Sequence, residues 1–276
     1  MKTSSADTNS SQSIAHSMLR PTLAGGPVLD KASRRPILKG MTQCRALIIA
    51  HGSPADPVPQ ECWMQALAAR VRMWLPGWQV RGTTLAMPGA LEGAIKTMPD
   101  ALIYPFFMAE GWFTRNQLPK RLRAAGIDHT LQLPALGHDS GMAGLLRDAA
   151  TAAARDHGLP GDASMILAAH GSQVSPASSQ ITEEMAEMLR RDTSFKVTTG
   201  YVEQEPYLED VARRTKGPAF CLPFFATRAG HVSEDLPEAL KAAGFTGPLL
   251  PAIGEHPDCA RLIANTLIQH RQLAAA

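Results

Sequence analysis

The sequence predicts an α/β protein made of two tandem, internally repeated domains, each a parallel sheet flanked by helices. Short, uniformly apolar segments alternate with longer segments whose apolar residues recur at three- and four-residue steps. The first pattern is typical of strands buried on both faces, and the second of amphipathic helices. Alternation of strand and helix favours parallel sheets, because the crossover helices cover both faces. Motifs of the first half also return in the second half in the same order.

The predicted strands are too short and too uniformly apolar to be amphipathic helices. They are residues 46–50 (ALIIA), 101–107 (ALIYPFF), 165–169 (MILAA) and 219–225 (AFCLPFF). Residues 195–199 (FKVTT) are strand-like. Helical periodicity is clear in residues 60–74 and 178–191. Each half therefore contains strands separated by at least one helix, as a parallel sheet requires.

Four motifs recur at a displacement of 117 to 119 positions. They are Ala-His-Gly-Ser (50–53 and 169–172), Pro-Phe-Phe (105–107 and 223–225), Leu-Pro (118–119 and 236–237) and Leu-Pro-Ala-Leu/Ile-Gly (133–137 and 250–254). A common order and a nearly constant displacement indicate a tandem duplication. We predict an N-terminal domain over residues 41–158 and a C-terminal domain over residues 159–276. Residues 1–40 lack periodicity and are rich in Ser, Thr, Gly and Pro, so we expect a disordered tail.

Composition argues against several classes of protein. The 27 Lys and Arg residues nearly balance the 25 Asp and Glu residues, which is unlike the basic surface of a nucleic-acid-binding protein. No apolar run reaches the length of a membrane-spanning helix, and the four cysteines show no Cys-x-x-Cys spacing. We expect a soluble cytoplasmic protein that binds neither nucleic acid nor membranes.

Two histidines and a carboxylate stand out in the second half. His170 follows a strand and precedes glycine, Glu203 and Glu205 follow the next strand-like segment, and His231 lies in the loop after Pro-Phe-Phe. The carboxyl ends of parallel strands meet at one edge of a sheet, where ligands bind. Two imidazoles and a carboxylate there form an open site for a first-row divalent ion such as cobalt or iron. Without such context, five histidines are interpreted as surface residues: His129, His138, His157, His256 and His270.

These motifs together resemble a known family. His-Gly-Ser after the first strand, Val-Glu-Gln-Glu-Pro at 202–206 and Pro-Phe-Phe-x5-His-Val-x-x-Asp-Leu-Pro at 223–237 are similar to the CbiX/SirB class of sirohydrochlorin chelatases. The resemblance covers nearly all of residues 44–270. It implies chelatase-like domains facing a cleft and a lyase that inserts Co²⁺ or Fe²⁺ into sirohydrochlorin, for cobalamin or sirohaem biosynthesis. The metal is then a substrate, and no permanent cofactor is expected.

The resemblance also assigns residues to roles. The metal-handling and catalytic residues are His170, His231 and Glu203, with Glu205 as an alternative carboxylate. Neutral imidazole binds borderline metals, and a carboxylate can bind the ion or accept a pyrrole proton. Because sirohydrochlorin carries carboxylates, basic side chains should surround the cleft. The predicted substrate-binding residues are Arg228, Arg115, Ser172, Glu205 and His51.

The first copy departs from the family pattern. It keeps His51, but Phe113 stands where the second copy has His231, and residues 85–88 (LAMP) supply no carboxylate. We therefore predict that the active site lies in the C-terminal copy. Trp112 and Phe113 suggest that the first copy contributes an apolar wall for the tetrapyrrole ring.

The sequence motivates one alternative function and argues against two others. The lost ligands of the first copy motivate a non-catalytic tetrapyrrole or metal carrier as the alternative. A hydrolase would need a Gly-x-Ser-x-Gly arrangement, which neither Ser53 nor Ser172 has. A periplasmic solute-binding protein would begin with a signal peptide, which we do not find. A duplicated chain could act as a monomer or a homodimer, and the identity of the metal is open.

Overall fold

The computed structural model of the 276-residue chain describes residues 43–127, 132–228 and 231–273. At His231 it describes the backbone and not the side chain. The tail expected over residues 1–40 and the histidine at position 129 lie outside the described residues.

Within these ranges the chain forms two three-stranded sheets, and every strand pair is parallel. The strands are β1 (Arg45–Ala50), β2 (Gln79–Thr84), β3 (Leu102–Pro105), β4 (Ser164–Ala169), β5 (Lys196–Tyr201) and β6 (Ala219–Pro223). Their order is β2-β1-β3 in the first sheet and β5-β4-β6 in the second. The first strand of each copy is therefore central and packed on both sides, which is why its sequence is apolar at almost every position.

Helices connect the strands and cover the sheets. They are α1 (Pro57–Met73), α2 (Ala90–Thr97), α3 (Leu118–Ala124), α4 (Met142–Asp156), α5 (Ala177–Asp192), α6 (Leu208–Arg214), α7 (Leu236–Ala242) and α8 (Cys259–Leu273). One-turn π-helices, Phe113–Gln117 and His231–Asp235, run directly into α3 and α7. Within the described residues, none of the helices has the length and apolar character that crossing a bilayer requires.

The α/β class, the parallel sheets and the duplication are confirmed. Strand ends differ from the sequence prediction in one consistent way. The strands predicted over 101–107 and 219–225 end at Pro105 and Pro223, before the two phenylalanines of each motif. One further backbone bond joins each first phenylalanine to the central strand, from Phe106 N–H to the carbonyl of Ile49 and from Phe224 N–H to that of Ala168, both 2.7 Å. The chain then turns towards the helical segment.

The last helix of each copy packs on the other copy. Helix α4 packs against α5, and α8 packs against α1. The largest apolar cluster accordingly contains buried residues from both copies, among them Ile48, Leu146, Leu167 and Ile263. The two sheets therefore share a core, and each copy depends on the other to cover a face. The domain boundary at residues 158 and 159 stays a prediction.

A buried polar cluster joins the copies at this exchange. Asp139, 6% exposed, accepts hydrogen bonds from the hydroxyl of Tyr104 in β3 (2.8 Å) and from that of Thr266 in α8 (2.7 Å). Burial, and then the adjacent Asp139 carboxylate, raises the pKa of Tyr104 well above its usual value, so the phenol stays neutral and donates. Asp139 also accepts the backbone N–H of Gly141 at the start of α4 (3.0 Å).

The repeated Leu-Pro-Ala-Leu/Ile-Gly motif has a steric explanation. The N–H of Gly137 donates to the carbonyl of Phe107 (3.1 Å), and that of Gly254 donates to the carbonyl of Phe225 (3.0 Å). A Cβ atom on either glycine would collide with a backbone carbonyl, that of Met108 or that of Ala226. Only glycine permits this approach to the segment after Pro-Phe-Phe.

We predict that Gly254→Ala lowers the free energy of unfolding by about 1–3 kcal/mol, because the new methyl group has no space. Gly144→Ala is the matched control, since Gly144 lies in α4 with no neighbouring atom within 4 Å of an added Cβ. It should stabilise the protein by about 0.5–1 kcal/mol. Chemical denaturation of both variants measures the difference, and equal values would contradict the steric explanation.

We predict that Tyr104→Phe destabilises the protein by about 1.5–3 kcal/mol, the range for a hydrogen bond to a charged group. The substitution removes the phenol hydroxyl and leaves Asp139 with two of its three partners. Tyr207→Phe, at a tyrosine 39% exposed, should change stability by less than about 0.5 kcal/mol. Thermal unfolding followed by circular dichroism compares the two. A Tyr104→Phe variant as stable as Tyr207→Phe would show that the cluster does not hold the copies together.

Candidate active site

Histidine follows the central strand of each copy, at the carboxyl edge of each sheet. His51 comes directly after β1, and His170 directly after β4. The next residues, Gly52 and Gly171, have left-handed φ angles of 79° and 72°. A Cβ atom on Gly171 would lie 2.6 Å from Cγ of Gln204, so this turn needs both the backbone freedom and the small size of glycine.

The His170 ring is oriented by its own turn. Its Nδ1 lies 2.9 Å from the carbonyl oxygen of Gly171, an atom that can only accept a hydrogen bond. In the neutral ring Nδ1 therefore carries the proton and the lone pair lies on Nε2. The His51 ring makes the same contact with the Gly52 carbonyl, at 2.7 Å. The local sequence thus selects the Nε2-basic tautomer in both copies, and Nε2 is a common metal-binding atom of histidine.

The pairing of β4 with β5 brings Glu203 to His170. The backbone N–H of Glu203 donates to the carbonyl of His170 (2.9 Å), which extends the strand ladder past Tyr201. Its carboxylate Oε2 then lies 3.5 Å from Nδ1 of His170, and both side chains are open to solvent, at 47% and 39% exposed. The structure thus brings together two of the three residues predicted from sequence. Glu203, rather than Glu205, is the carboxylate beside the imidazole.

The first copy makes the same backbone bond with a different residue. The N–H of Ala86 donates to the carbonyl of His51 (2.9 Å), so Ala86 is the structural equivalent of Glu203. The first copy has one residue fewer before its proline, which is the gap that obscured the alignment. Because a methyl group replaces the carboxylate, this strand end cannot provide the acid that the second copy has.

Phe113 and His231 occupy equivalent places in the backbone. Each is the first residue of a π-helical turn that leads into the next helix. Sequence placed His231 in a loop, whereas the structure makes it the start of a helical segment continuous with α7. The Phe113 ring meets the His51 ring edge-on, with centroids 4.2 Å apart. In the first copy this position therefore lies next to the strand-end histidine.

No set of three or more His, Cys, Asp or Glu side chains that could hold a metal ion occurs among the side chains described. The His231 side chain lies outside the described residues. The described part of the site is the pair of His170 and Glu203.

The predicted substrate-binding residues surround this edge in different ways. Arg228 is exposed, and its backbone N–H donates to the Glu255 carboxylate (2.7 Å). Arg115 is 68% exposed and forms an ion pair with Glu110 at 3.3 Å. The hydroxyl of Ser172 lies within the turn, where it accepts hydrogen bonds from the backbone N–H groups of Val174 and Ser175, each at 3.2 Å.

Glu205 is exposed and is not paired with His170. Trp112, by contrast, is 63% exposed beside Phe113, with ring centroids 5.2 Å apart. The indole therefore presents an apolar surface near His51, as predicted for the first copy.

A small cavity of about 250 Å³ adjoins both strand-end regions. Its walls include Ala50 and Trp63 of the first copy and Arg228 and Glu255 of the second. Arg228 therefore lies where the copies meet, and its guanidinium can serve a ligand that contacts both.

Sequence analysis missed two positioning residues. The side-chain oxygen of Gln204 accepts a hydrogen bond from the backbone N–H of Ser172 (2.8 Å). This bond connects the His-Gly-Ser turn to the Glu203 segment. Glu255 holds the Arg228 backbone. Gln204 fills the variable position of Val-Glu-x-Glu-Pro, and Glu255 follows the repeated glycine, so neither carried a signal that one sequence could reveal.

Comparison with known proteins identifies the family of the chain. Residues 164–270 match the family model CbiX. A solved structure of CbiX, the terminal enzyme for biosynthesis of siroheme in denitrifying bacteria, is 44% identical, with a TM-score of 0.76. The match covers 82% of this chain and 98% of that chain. The chain belongs to the CbiX family. The resemblance found in the motifs is therefore confirmed.

Other solved structures share the fold at lower identity. SirB from Bacillus subtilis with Fe³⁺ is 18% identical with a TM-score of 0.66, covering 81% of this chain and 94% of that one. SirB from Bacillus subtilis subspecies spizizenii in complex with cobalt is 16% identical with a TM-score of 0.61, covering 83% and 95%. These two show likeness of fold alone. No curated protein sequence matches the chain.

We predict that Gly171→Ala weakens Co²⁺ binding by about tenfold or more, because the methyl group displaces Gln204 and with it the Glu203 segment. Gly217→Ala is the matched control. Gly217 also has a left-handed φ, of 77°, but no atom lies within 4 Å of an added Cβ. Both variants should lose about 1–2 kcal/mol of stability to backbone strain, and only the first should lose affinity. Calorimetric titration with Co²⁺ decides, and an equal loss of affinity in both would contradict the steric coupling.

Proposed function

We propose that this CbiX-family protein inserts a divalent metal ion, Fe²⁺ or Co²⁺, into sirohydrochlorin, and that the second copy carries the active site. The observation that supports this most directly is the contact of the Glu203 carboxylate with the His170 imidazole at adjacent strand ends. The first copy has the histidine without the acid, since Ala86 replaces it. The chemistry of metal delivery is therefore available in one copy only.

His231 completes the proposed site. It begins the π-helical turn of the second copy, as Phe113 does in the first. In the first copy the Phe113 ring lies 4.2 Å from the His51 ring, so this backbone position adjoins the strand-end histidine. Two neutral imidazoles in an open site hold a borderline metal and leave positions for exchange, as a metal that must be released requires.

The two side chains divide the work of metal insertion. His170 presents the Nε2 lone pair to the ion, because its Nδ1–H is bonded to Gly171. Glu203 lies on the Nδ1 side, where its carboxylate helps to orient the imidazole and can accept protons that the two pyrrole N–H groups release. The geometry thus favours a proton-accepting and positioning role for Glu203, while its exposure also allows it to bind the incoming ion.

Binding of the macrocycle uses both copies. Sirohydrochlorin carries several carboxylates, and Arg228 and Arg115 are exposed cations on the second and first copies. Trp112, with His51 and Phe113 behind it, offers an apolar surface for one face of the ring. Ser172 and Glu205 lie at the site edge as further polar contacts. One chain supplies both walls, so a monomer suffices, and we place the reaction in the cytoplasm.

Iron is the favoured metal of the two. The 44% identical CbiX is described as an enzyme of siroheme biosynthesis, and the iron of siroheme must be inserted into a tetrapyrrole. Imidazole and carboxylate ligands accept both ions, so the ligand set itself does not choose.

The test is anaerobic absorbance of sirohydrochlorin with Fe²⁺ or Co²⁺. We expect the wild type to accelerate the spectral change, and His170→Ala, His231→Ala and Glu203→Gln to lose about 10²-fold or more, the usual contribution of a proton acceptor or metal ligand. His138→Ala, at an exposed histidine, is the control and should match the wild type.

The other outcomes are equally informative. Faster reaction with Co²⁺ than with Fe²⁺ would reassign the metal. A wild type that binds sirohydrochlorin but reacts at the uncatalysed rate would replace the enzyme with a tetrapyrrole carrier. Full activity in His170→Ala would contradict the placement of the site in the second copy.

A further inference from the structure

A second cavity lies away from the strand ends, between α4 and the segment that follows β6. Its volume is about 260 Å³, and its walls include Ala149 of α4, Leu222 of β6 and His256. His256 was expected on the surface, but the structure half-buries it. The proposed chemistry of metal insertion does not use this cavity.

The duplication shows what fills the equivalent space in the first copy. Leu222 corresponds to Tyr104, His256 to Asp139 and Ala149 to Thr266, at the displacements of 117 and 118 found in the repeated motifs. Tyr104, Asp139 and Thr266 together form the buried polar cluster, and Tyr104 is fully buried there. The space that a phenol side chain occupies in one copy is therefore lined in the other by a shorter leucine and an alanine.

The equivalence extends to the backbone. In the first copy the N–H of Gly141 donates to the Asp139 carboxylate, and in the second the N–H of Asp258 donates to Nδ1 of His256 (3.2 Å). Because Nδ1 accepts this bond, the neutral ring carries its proton on Nε2 and can donate from there. Burial lowers the pKa of His256, so the ring is neutral near pH 7.

The rim of the cavity constrains the charge of a ligand. Asp156 and Glu255 both border the opening, and an anion there would meet their negative charge. Most other wall residues are apolar, and four of them, Ala149, Leu222, Ala252 and Ile253, are buried. A cavity of about 150 Å³ in an engineered protein holds benzene, so one of about 260 Å³ has room for a substituted ring.

We propose that this cavity binds a small, uncharged aromatic molecule with one oxygen substituent, of the size of a phenol. The ring would take the place that Tyr104 fills in the first copy, and the oxygen would accept a hydrogen bond from His256. Such a ligand would also contact the wall formed by Glu255, the carboxylate that holds the backbone of Arg228. The proposal does not depend on the metal-inserting reaction.

The probe is 4-fluorophenol, with binding to the intact protein followed by ¹⁹F NMR. We expect saturable binding below about 10 mM, the range for a ligand of this size. Leu222→Tyr should weaken it at least about tenfold, because the new phenol fills the space. Ala152→Leu fills the same cavity from α4, and serves if the tyrosine variant does not fold. Leu240→Met, in the core of the second copy but outside the cavity, is the control and should bind as the wild type does.

The reverse substitution in the first copy gives a second test. Tyr104→Leu should create a second site of the same kind in the first copy and raise the binding stoichiometry from one to about two. Absence of saturable binding to the wild type would overturn the proposal, as would binding that both cavity-filling variants leave unchanged.

Discussion

The candidate site depends on a backbone contact between two neighbouring parallel strands. The N–H of Glu203 bonds to the carbonyl of His170, and directly after this carbonyl Gly171 turns the chain away with a left-handed φ of 72°. Residues remote in sequence thereby become neighbours whose side chains leave the sheet at one edge. The imidazole orientation, its tautomer and its contact with the carboxylate all follow from this geometry, with Gln204 holding the turn from the other side.

Duplication followed by divergence explains the asymmetry of the molecule. Both copies keep the histidine turn, the glycine that approaches the loop after Pro-Phe-Phe, and the π-helical turn. These features hold the fold together, so each copy needs them. The residues proposed to handle the metal differ between the copies, since the first copy has Ala86 in the place of Glu203 and Phe113 in the place of His231. Phe113 packs on His51, so this strand end presents an apolar surface.

The last helix of each copy packs on the other copy, and this exchange of helices joins the two copies. Because α8 covers the first copy and α4 the second, neither half can separate without exposing apolar surface. The buried hydrogen bonds from Tyr104 and Thr266 to Asp139 fix α8 on the first copy. Where α4 packs on the second copy, Leu222 stands in the place of the phenol and Ala149 in the place of the hydroxyl, and a cavity is present. Of these two helix contacts, the more tightly packed one thus lies on the copy without the proposed active site.

The sequence by itself determined the class of fold and the duplication, and it nominated the candidate residues of the site. Apolar runs and repeated motifs are local signals, and a strand end followed by glycine places a side chain at a sheet edge whatever the neighbours are. Only the tertiary structure decided that Glu203 rather than Glu205 meets His170, because strand register sets that choice and a one-residue gap hid it. It alone also showed the exchanged helices and the half-burial of His256. These depend on which surfaces pack together, and contacts between distant segments leave no periodic trace in a single sequence.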